Sequence, residues 1–231
     1  MITLIIPFFN EENELPDLVK DLDKFEEQKK KIISEYIFIN DCSTDNSINI
    51  LNSEILSSKS LKNKNIKIIS NDQNLGWCKS LIKGYHLATQ KFSLYIPGDG
   101  EAKVTEFLKD FELDETKDVI VYQRKSMVGR PKSRVFISQL YKKILGFLFK
   151  IPNVDFNGLI LIKSKIIKSI NLISNSNFIS AEIILKSRKI NCNIDYNNYF
   201  FLFPKNKYKS SSLNFTQFQK VIYDIIKYLF G

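Results

Sequence analysis

Glycine and proline are scarce in this sequence, 8 and 6 among 231 residues, which excludes flexible or proline-rich linkers between domains. Cysteine is scarcer still: Cys42, Cys78 and Cys192 are odd in number, widely spaced and outside any metal-ligand cluster. No disulfide framework follows, and a reducing cytoplasm is the expected compartment. No apolar run reaches the roughly eighteen residues that a spanning helix requires. The opening MITLIIPFF is too short for a signal peptide and lacks a basic leader. The expectation is a chain that is soluble or lies on a membrane without crossing it. Acidic charge is also short, with 25 Asp and Glu against 34 Lys and Arg, a net +9. That surplus points to an anionic partner or to a lysine-rich compositional habit. It does not suggest a nucleic-acid reader, since no helix concentrates arginines as a groove reader would. The single histidine, His86, reads as a surface or packing residue within a helix, and Trp77 as a residue packed in a turn.

What is present is a chain of ordinary hydrophobicity, 44% apolar, with enough material for one large domain or one domain with an appended terminal element. The apolar β-branched run at Ile2 to Phe9 predicts a strand buried on both faces, and Ser34 to Asn40, Asn65 to Ser70 and Lys91 to Pro97 predict further strands. Helical periodicity separates them, as in Leu15, Leu18, Leu22 and Phe25, or Ile48, Leu51 and Ile55. Four alternations of strand and helix predict right-handed βαβ units around a mostly parallel sheet. Ligands of such sheets bind beyond the carboxyl ends of the strands. The polar segments PFFNEEN, NDCSTDNS, SNDQNLG and PGDGEA all fall there.

The later half is less regular. Asp118 to Arg124 and Val154 to Lys163 predict strands, and Ser133 to Lys150 a strongly apolar helix. ISAEIILKSRKI predicts another helix, followed by an aromatic strand, DYNNYFFLF. In the final helix Phe215, Phe218, Ile222, Ile225 and Leu229 share a stripe opposite Lys220, Asp224 and Lys227. The two apolar helices read either as core or as interfacial helices, which pair aliphatic and aromatic faces with lysines.

Four segments, IIPFFNEEN, IFINDCSTDNS, NDQNLGWCKSLIKGYHLA and IPGDGEA, stand in the order and spacing of the motifs of family 2 glycosyltransferases. The sequence resembles that family, particularly its polyprenyl-phosphate, dolichol-phosphate-mannose-synthase-like branch. The likeness continues more loosely through YQRKSMVGRPKSRVFIS, VDFNGLILIK and FPKNKYKSSS, and covers roughly residues 1 to 212. It implies an α/β GT-A fold: a Rossmann-like, mostly parallel central sheet flanked by helices. Residues 1–102 would form the nucleotide-sugar half, 103–212 the acceptor-side half, and 213–231 a C-terminal amphipathic helix.

The resemblance also implies site residues. Pro7, Phe9, Asn10, Glu11, Asp41, Ser43, Asn74 and Gly76 would line the nucleotide pocket, with Asp41 accepting a hydrogen bond from a base N–H. Asp41 and Ser43 also suit helix capping. A departing diphosphate needs its charge stabilised, usually by a hard divalent cation, here Mg²⁺ or Mn²⁺. Asp99 takes the place of the second aspartate of the family's Asp-x-Asp motif and Pro97 that of the first. Glu101 follows two residues on, and in an extended segment Asp99 and Glu101 would face the same way. Arg124, Arg134, Ser138, Lys205 and Lys209 would form the acceptor side, where guanidinium and ammonium groups suit phosphate oxygens. Glu182 stands where a general base would be needed for a hydroxyl acceptor; an ionised phosphate needs none.

The expected activity is inverting transfer of a sugar from a UDP- or GDP-sugar. The preferred acceptor is a polyprenyl phosphate lipid, ahead of a growing cell-surface glycan. A cytoplasmic protein docked on the inner face of an anionic membrane, alone or through a separate membrane protein, fits that acceptor. A nucleotidyltransferase is disfavoured because PFFNEENELP lacks the glycine- and arginine-rich loop after the first strand. A non-catalytic nucleotide-sugar-binding protein remains the alternative that Pro97 favours.

Overall fold

The structure is a computed structural model, and it describes residues 1–28, 32–100, 102–108, 111–124, 132–151, 154–156, 158–199 and 215–230. In chain order the elements are β1 (Ile2–Phe8), α1 (Leu15–Glu27), β2 (Ile33–Asn40), α2 (Ser47–Ser57), a 3₁₀ turn (Leu61–Asn63), β3 (Ile66–Ser70), α3 (Trp77–Leu87) and β4 (Phe92–Tyr95). They continue with α4 (Val104–Phe107), β5 (Val119–Arg124), α5 (Lys132–Leu148), β6 (Leu159–Lys163), α6 (Ser164–Ser169), α7 (Ile179–Lys189), β7 (Ile194–Tyr199) and α8 (Phe215–Phe230). The class is the expected one: α/β, with a seven-stranded, mostly parallel sheet flanked by helices.

One compact unit comprises Met1–Asp114 with Leu161–Ser169. Its strands lie in the order β3-β2-β1-β4-β6, parallel throughout except for β6, which runs antiparallel to β4. Strand β1 is central and buried along its whole length, which explains its unbroken apolar run. Helix α3 lies close against it: a Cβ on Gly84 would come within 2.3 Å of the Ile5 side chain. Helix α1 turns Leu15, Leu18, Leu22 and Phe25 into the core, as their spacing predicts. At the amino-terminal side of the sheet, buried Glu35 accepts hydrogen bonds from Thr3 Oγ1 at 2.5 Å, Lys67 Nζ at 2.7 Å and the Thr89 amide at 2.8 Å. Burial disfavours its charge, but the Lys67 and Thr3 bonds outweigh that and hold the carboxyl below its ordinary value.

The other unit comprises Glu115–Ile160 with Ile170–Gly231. Strands β5 and β7 pair in parallel from Val119↔Ile194 to Arg124↔Tyr199. Strand β6 begins at Leu159, later than the predicted Val154. The Gly158 amide instead closes a turn on the Asp155 carbonyl at 3.2 Å, and a Cβ there would meet the Tyr122 carbonyl oxygen at 2.0 Å. Only glycine fits so close an approach.

Helix α8 departs from its sequence pattern. Asp224, on the predicted polar face, is 1% exposed and faces the unit. It accepts hydrogen bonds from the Asn175 amide at 2.8 Å and Ser176 Oγ at 2.6 Å. Tyr228, one turn on, packs edge-on against Phe149 at 5.5 Å and Phe178 at 5.7 Å between ring centroids. Phe218, Ile222 and Leu229, read as the apolar stripe, are exposed. A buried carboxylate with two donors is satisfied, so polarity alone does not decide which face docks.

Candidate functional site

The carboxyl ends of the parallel strands gather the loops that the sequence singles out. Backbone bonds set them side by side: the Asp41 amide donates to the Phe8 carbonyl at 2.9 Å, Asn71 to Asn40 at 2.9 Å, and Gly98 to Pro7 at 3.0 Å. Side chains then tie the β1–α1 loop to the β2–α2 loop. The Asn10 amide donates to Ser43 Oγ at 3.0 Å, the Thr44 amide to Asn10 Oδ1 at 2.8 Å, and the Glu11 amide to Ser47 Oγ at 2.8 Å. Asn10 and Cys42 both hold positive φ, 55° and 63°, an arrangement that asparagine tolerates and that bends each loop sharply. Asp45 accepts from the Ser47 amide and hydroxyl and from the Glu12 amide. Burial works against its charge, but the Ser47 and Glu12 bonds prevail and lower its pKa.

Asp41 organises the next loop. It is 3% exposed, and its Oδ1 accepts from Asn71 Nδ2 at 2.8 Å and the Leu75 amide at 2.9 Å, while Oδ2 accepts from the Gly76 amide at 2.8 Å. A carboxylate has about four acceptor sites, so Oδ2 retains capacity for one further donor. Asn71 also donates to Ser80 Oγ at 2.8 Å and accepts from Lys83 Nζ at 2.8 Å. Gly76, at φ 86°, gives the turn into α3, and space alone would admit a side chain there. Asn74 is exposed on this loop. Asn71 and Lys83 were not singled out from the sequence; their signal is Lys83 standing three residues after Ser80, on the helical face turned to this loop.

Strand β4 delivers Asp99. A Cβ on Gly98 would lie 2.6 Å from the Phe8 Cβ and 2.9 Å from the Pro7 carbonyl oxygen, so the glycine lets the PGDG turn seat against β1. Gly100 follows with φ 67°, and Asp99 between them is half-buried. Tyr95 and Trp77 stand nearby, their ring centroids 6.2 Å apart. Pro7 is buried, and Phe9 and Asn10 are exposed at the same rim.

The acceptor-side expectations meet the structure unevenly. Arg124 ends β5 and Arg134 lies in the first turn of α5, their side chains outside those described. Ser138 is half-buried on α5. Glu101, Lys205 and Lys209 lie outside the described residues. Glu182, the candidate base, is 0% exposed on α7. Its oxygens accept from the Ile173 and Ser174 amides, each at 2.9 Å, and from Ser174 Oγ at 2.5 Å, and pair with Lys186 at 2.7 Å. That is the setting of a structural carboxylate that pins the segment before α7, and we assign it no proton transfer. Among the described residues, no three His, Cys, Asp or Glu side chains converge to hold a metal.

An α/β sheet with four cross-tied polar loops at its carboxyl rim, one carrying a carboxylate between glycines, has the form of open α/β proteins that bind a ligand beyond the carboxyl ends of their strands. Residues 3–161 match the profile of Glycosyl transferase family 2, and the chain belongs to that family. No curated protein matches its sequence. Among solved structures, the glucosyl-3-phosphoglycerate synthase of Mycobacterium tuberculosis, in complex with Mn²⁺, UDP-glucose and phosphoglyceric acid, is similar with a TM-score of 0.72 at 13% identity. That similarity covers 98% of this chain and 79% of the synthase. The same enzyme with Mg²⁺ and UDP gives 0.69 at 13% identity, over 98% and 78% of the two chains. A further mycobacterial protein gives 0.73 at 10% identity, over 98% and 74%. At such identity the likeness concerns the fold, which is GT-A.

Proposed function

We propose that this glycosyltransferase takes its sugar from a UDP- or GDP-sugar and transfers it, with inversion, to a phosphate-bearing acceptor, for preference a polyprenyl phosphate at a membrane surface. The observation that carries the reading is the rim of cross-tied loops ending at Asp99, in a chain whose family membership is shown. In this reading Asp41 holds the 71–76 loop in shape and offers the remaining capacity of Oδ2 to a base N–H. Pro7, Asn10, Glu11 and Ser43 form the adjoining wall. A divalent cation that shares its coordination with a diphosphate needs only one or two protein carboxylates, and Asp99 fits that share, with Glu101 as the second. When bound, it would stabilise the charge of the departing diphosphate.

The reaction is a displacement. An acceptor oxygen bonds to the anomeric carbon while the bond from that carbon to the diphosphate oxygen breaks, and the nucleoside diphosphate leaves with the electron pair. An ionised phosphate acceptor has no proton to lose, which agrees with a Glu182 wholly engaged in structural bonds. A second reading, a small soluble phosphorylated acid as acceptor, is supported by the solved relatives whose complexes hold phosphoglyceric acid or glycerol 3-phosphate.

The test is a panel of UDP- and GDP-sugars with Mn²⁺ or Mg²⁺, offered polyprenyl phosphate in detergent or 3-phosphoglycerate, with products read by mass. Metal-dependent transfer to the lipid is expected. Transfer only to the glycerate establishes the second reading, and failure to bind or turn over any donor overturns both.

A further inference from the structure

Among the described residues, helices α5 and α8 leave two apolar faces uncovered in the same unit. On α5, Phe136, Leu140, Ile144 and Phe147 are exposed, and Phe147 is 85% so. On α8, Phe218, Ile222, Ile226 and Phe230 are exposed, and Phe230 is 86% so. The helices meet where Tyr141, its hydroxyl buried, lies in the field of Asp224, which helps raise its pKa after burial itself, and where Phe149 packs on Tyr228. Large exposed apolar faces of this kind mark interaction surfaces in soluble proteins.

The charges around these faces identify the occupant. Lys143 stands one turn from Leu140 and Phe147 on α5, and Lys227 one turn from Phe230 on α8, at the edge between the apolar face and the Asp224 side; Lys150 and Lys220 add charge beside the same helices, and all four are exposed. Residues 132–150 contain no aspartate or glutamate, and residues 215–230 contain only Asp224. Asp224 is buried and bonded, so it neutralises nothing at the surface. An apolar stripe edged by lysines alone matches an anionic lipid interface, where side chains enter the acyl boundary and ammonium groups meet headgroups. A second copy of this chain fits poorly, since a symmetric contact would set lysine against lysine with no carboxylate on the face.

We infer that the exposed faces of α5 and α8 form a membrane-docking surface for anionic bilayers. This deepens the lipid-acceptor reading and rests on it for its purpose. Vesicle binding, however, is measured without donor or acceptor, so either can fail alone.

The experiment is flotation of the full chain with vesicles of phosphatidylcholine, with or without 30% phosphatidylglycerol. The variants are F147E/F230E, which removes apolar contact, and K143E/K227E, which reverses charge. Binding to the anionic vesicles is expected, weakening with salt and falling at least tenfold in each variant. Because the side chains are exposed, circular dichroism and Tm should stay unchanged. Overturning results are equal binding by wild type and F147E/F230E, or no vesicle binding by the wild type. Self-association that F147E/F230E abolishes, in a chain that ignores vesicles, would assign the face to a second copy instead.

Discussion

Helix α1 lays Leu15, Leu18, Leu22 and Phe25 into the first unit, whereas α8 docks on the second through Asp224 and Tyr228 and leaves Phe218, Ile222 and Ile226 outside. Both helices repeat apolar residues at helical spacing, and periodicity alone does not separate a core helix from an interfacial one. The difference lies in what each meets. Helix α1 also satisfies donors, with Asp23 accepting from Ser58 and Asp21 from Thr105, but those carboxylates flank its leucines and Phe25, which keep the core side. Helix α8 meets two donors, the Asn175 amide and Ser176 hydroxyl, which a carboxylate satisfies better than a leucine would. An amphipathic pattern therefore states that a helix has two faces, not which one the protein keeps.

Substitutions can break that comparison. The largest effect expected is Leu22→Ala, which should cost about 3 kcal/mol of unfolding free energy in denaturant titration, the usual loss for a core leucine. Glu35→Gln should cost about 2 kcal/mol at pH 7, because an amide cannot accept from Thr3, Lys67 and the Thr89 amide together and turns an N–H toward one of these donors in a buried site. Its pH dependence carries a sign. The folded Glu35 pKa is lowered, so its contribution is complete above the unfolded glutamate value and is lost as pH falls through the folded one. The gap between wild type and Glu35→Gln should therefore close in acid, and a gap that widens there would refute the assignment.

Asp224→Ala removes the acceptor for two buried donors and should cost about 2 kcal/mol, enough to loosen α8 and raise its amide exchange. Ile222→Ser, two residues away, should change stability by no more than about 0.5 kcal/mol, as exposed substitutions do. If Ile222→Ser proves as damaging as Leu22→Ala, the solvent-facing side of α8 is buried in solution.

The parts of the fold visible in the sequence are those set by local pattern. The buried runs of β1 and β2 and the stripe of α1 needed no partner to be recognised, and the loops PFFNEEN to PGDGEA followed at the carboxyl rim from strand order alone. What escaped depends on long-range pairing. Asp224 finds its partners at Asn175 and Ser176, nearly fifty residues earlier, and no local signal marks them. Strand β6 begins late because Gly158 must pass under Tyr122, a contact that only the folded chain creates. In the site, Asp41 was visible as a rim carboxylate, but its three donors from Asn71, Leu75 and Gly76 were not. Glu182 was placed by resemblance, and its bonds to Ile173 and Ser174 lie in a segment without periodicity.

The central claim is that the carboxyl rim of the first unit, ending at Asp99, binds a metal–nucleoside diphosphate. Calorimetric titration of uridine and guanosine diphosphates, with and without Mn²⁺, into wild type and Asp99→Ala tests it most directly. Metal-dependent binding of one nucleotide by the wild type, weakened at least tenfold in Asp99→Ala with Tm unchanged, is the predicted result. Equal, metal-independent affinity in both proteins would contradict the account.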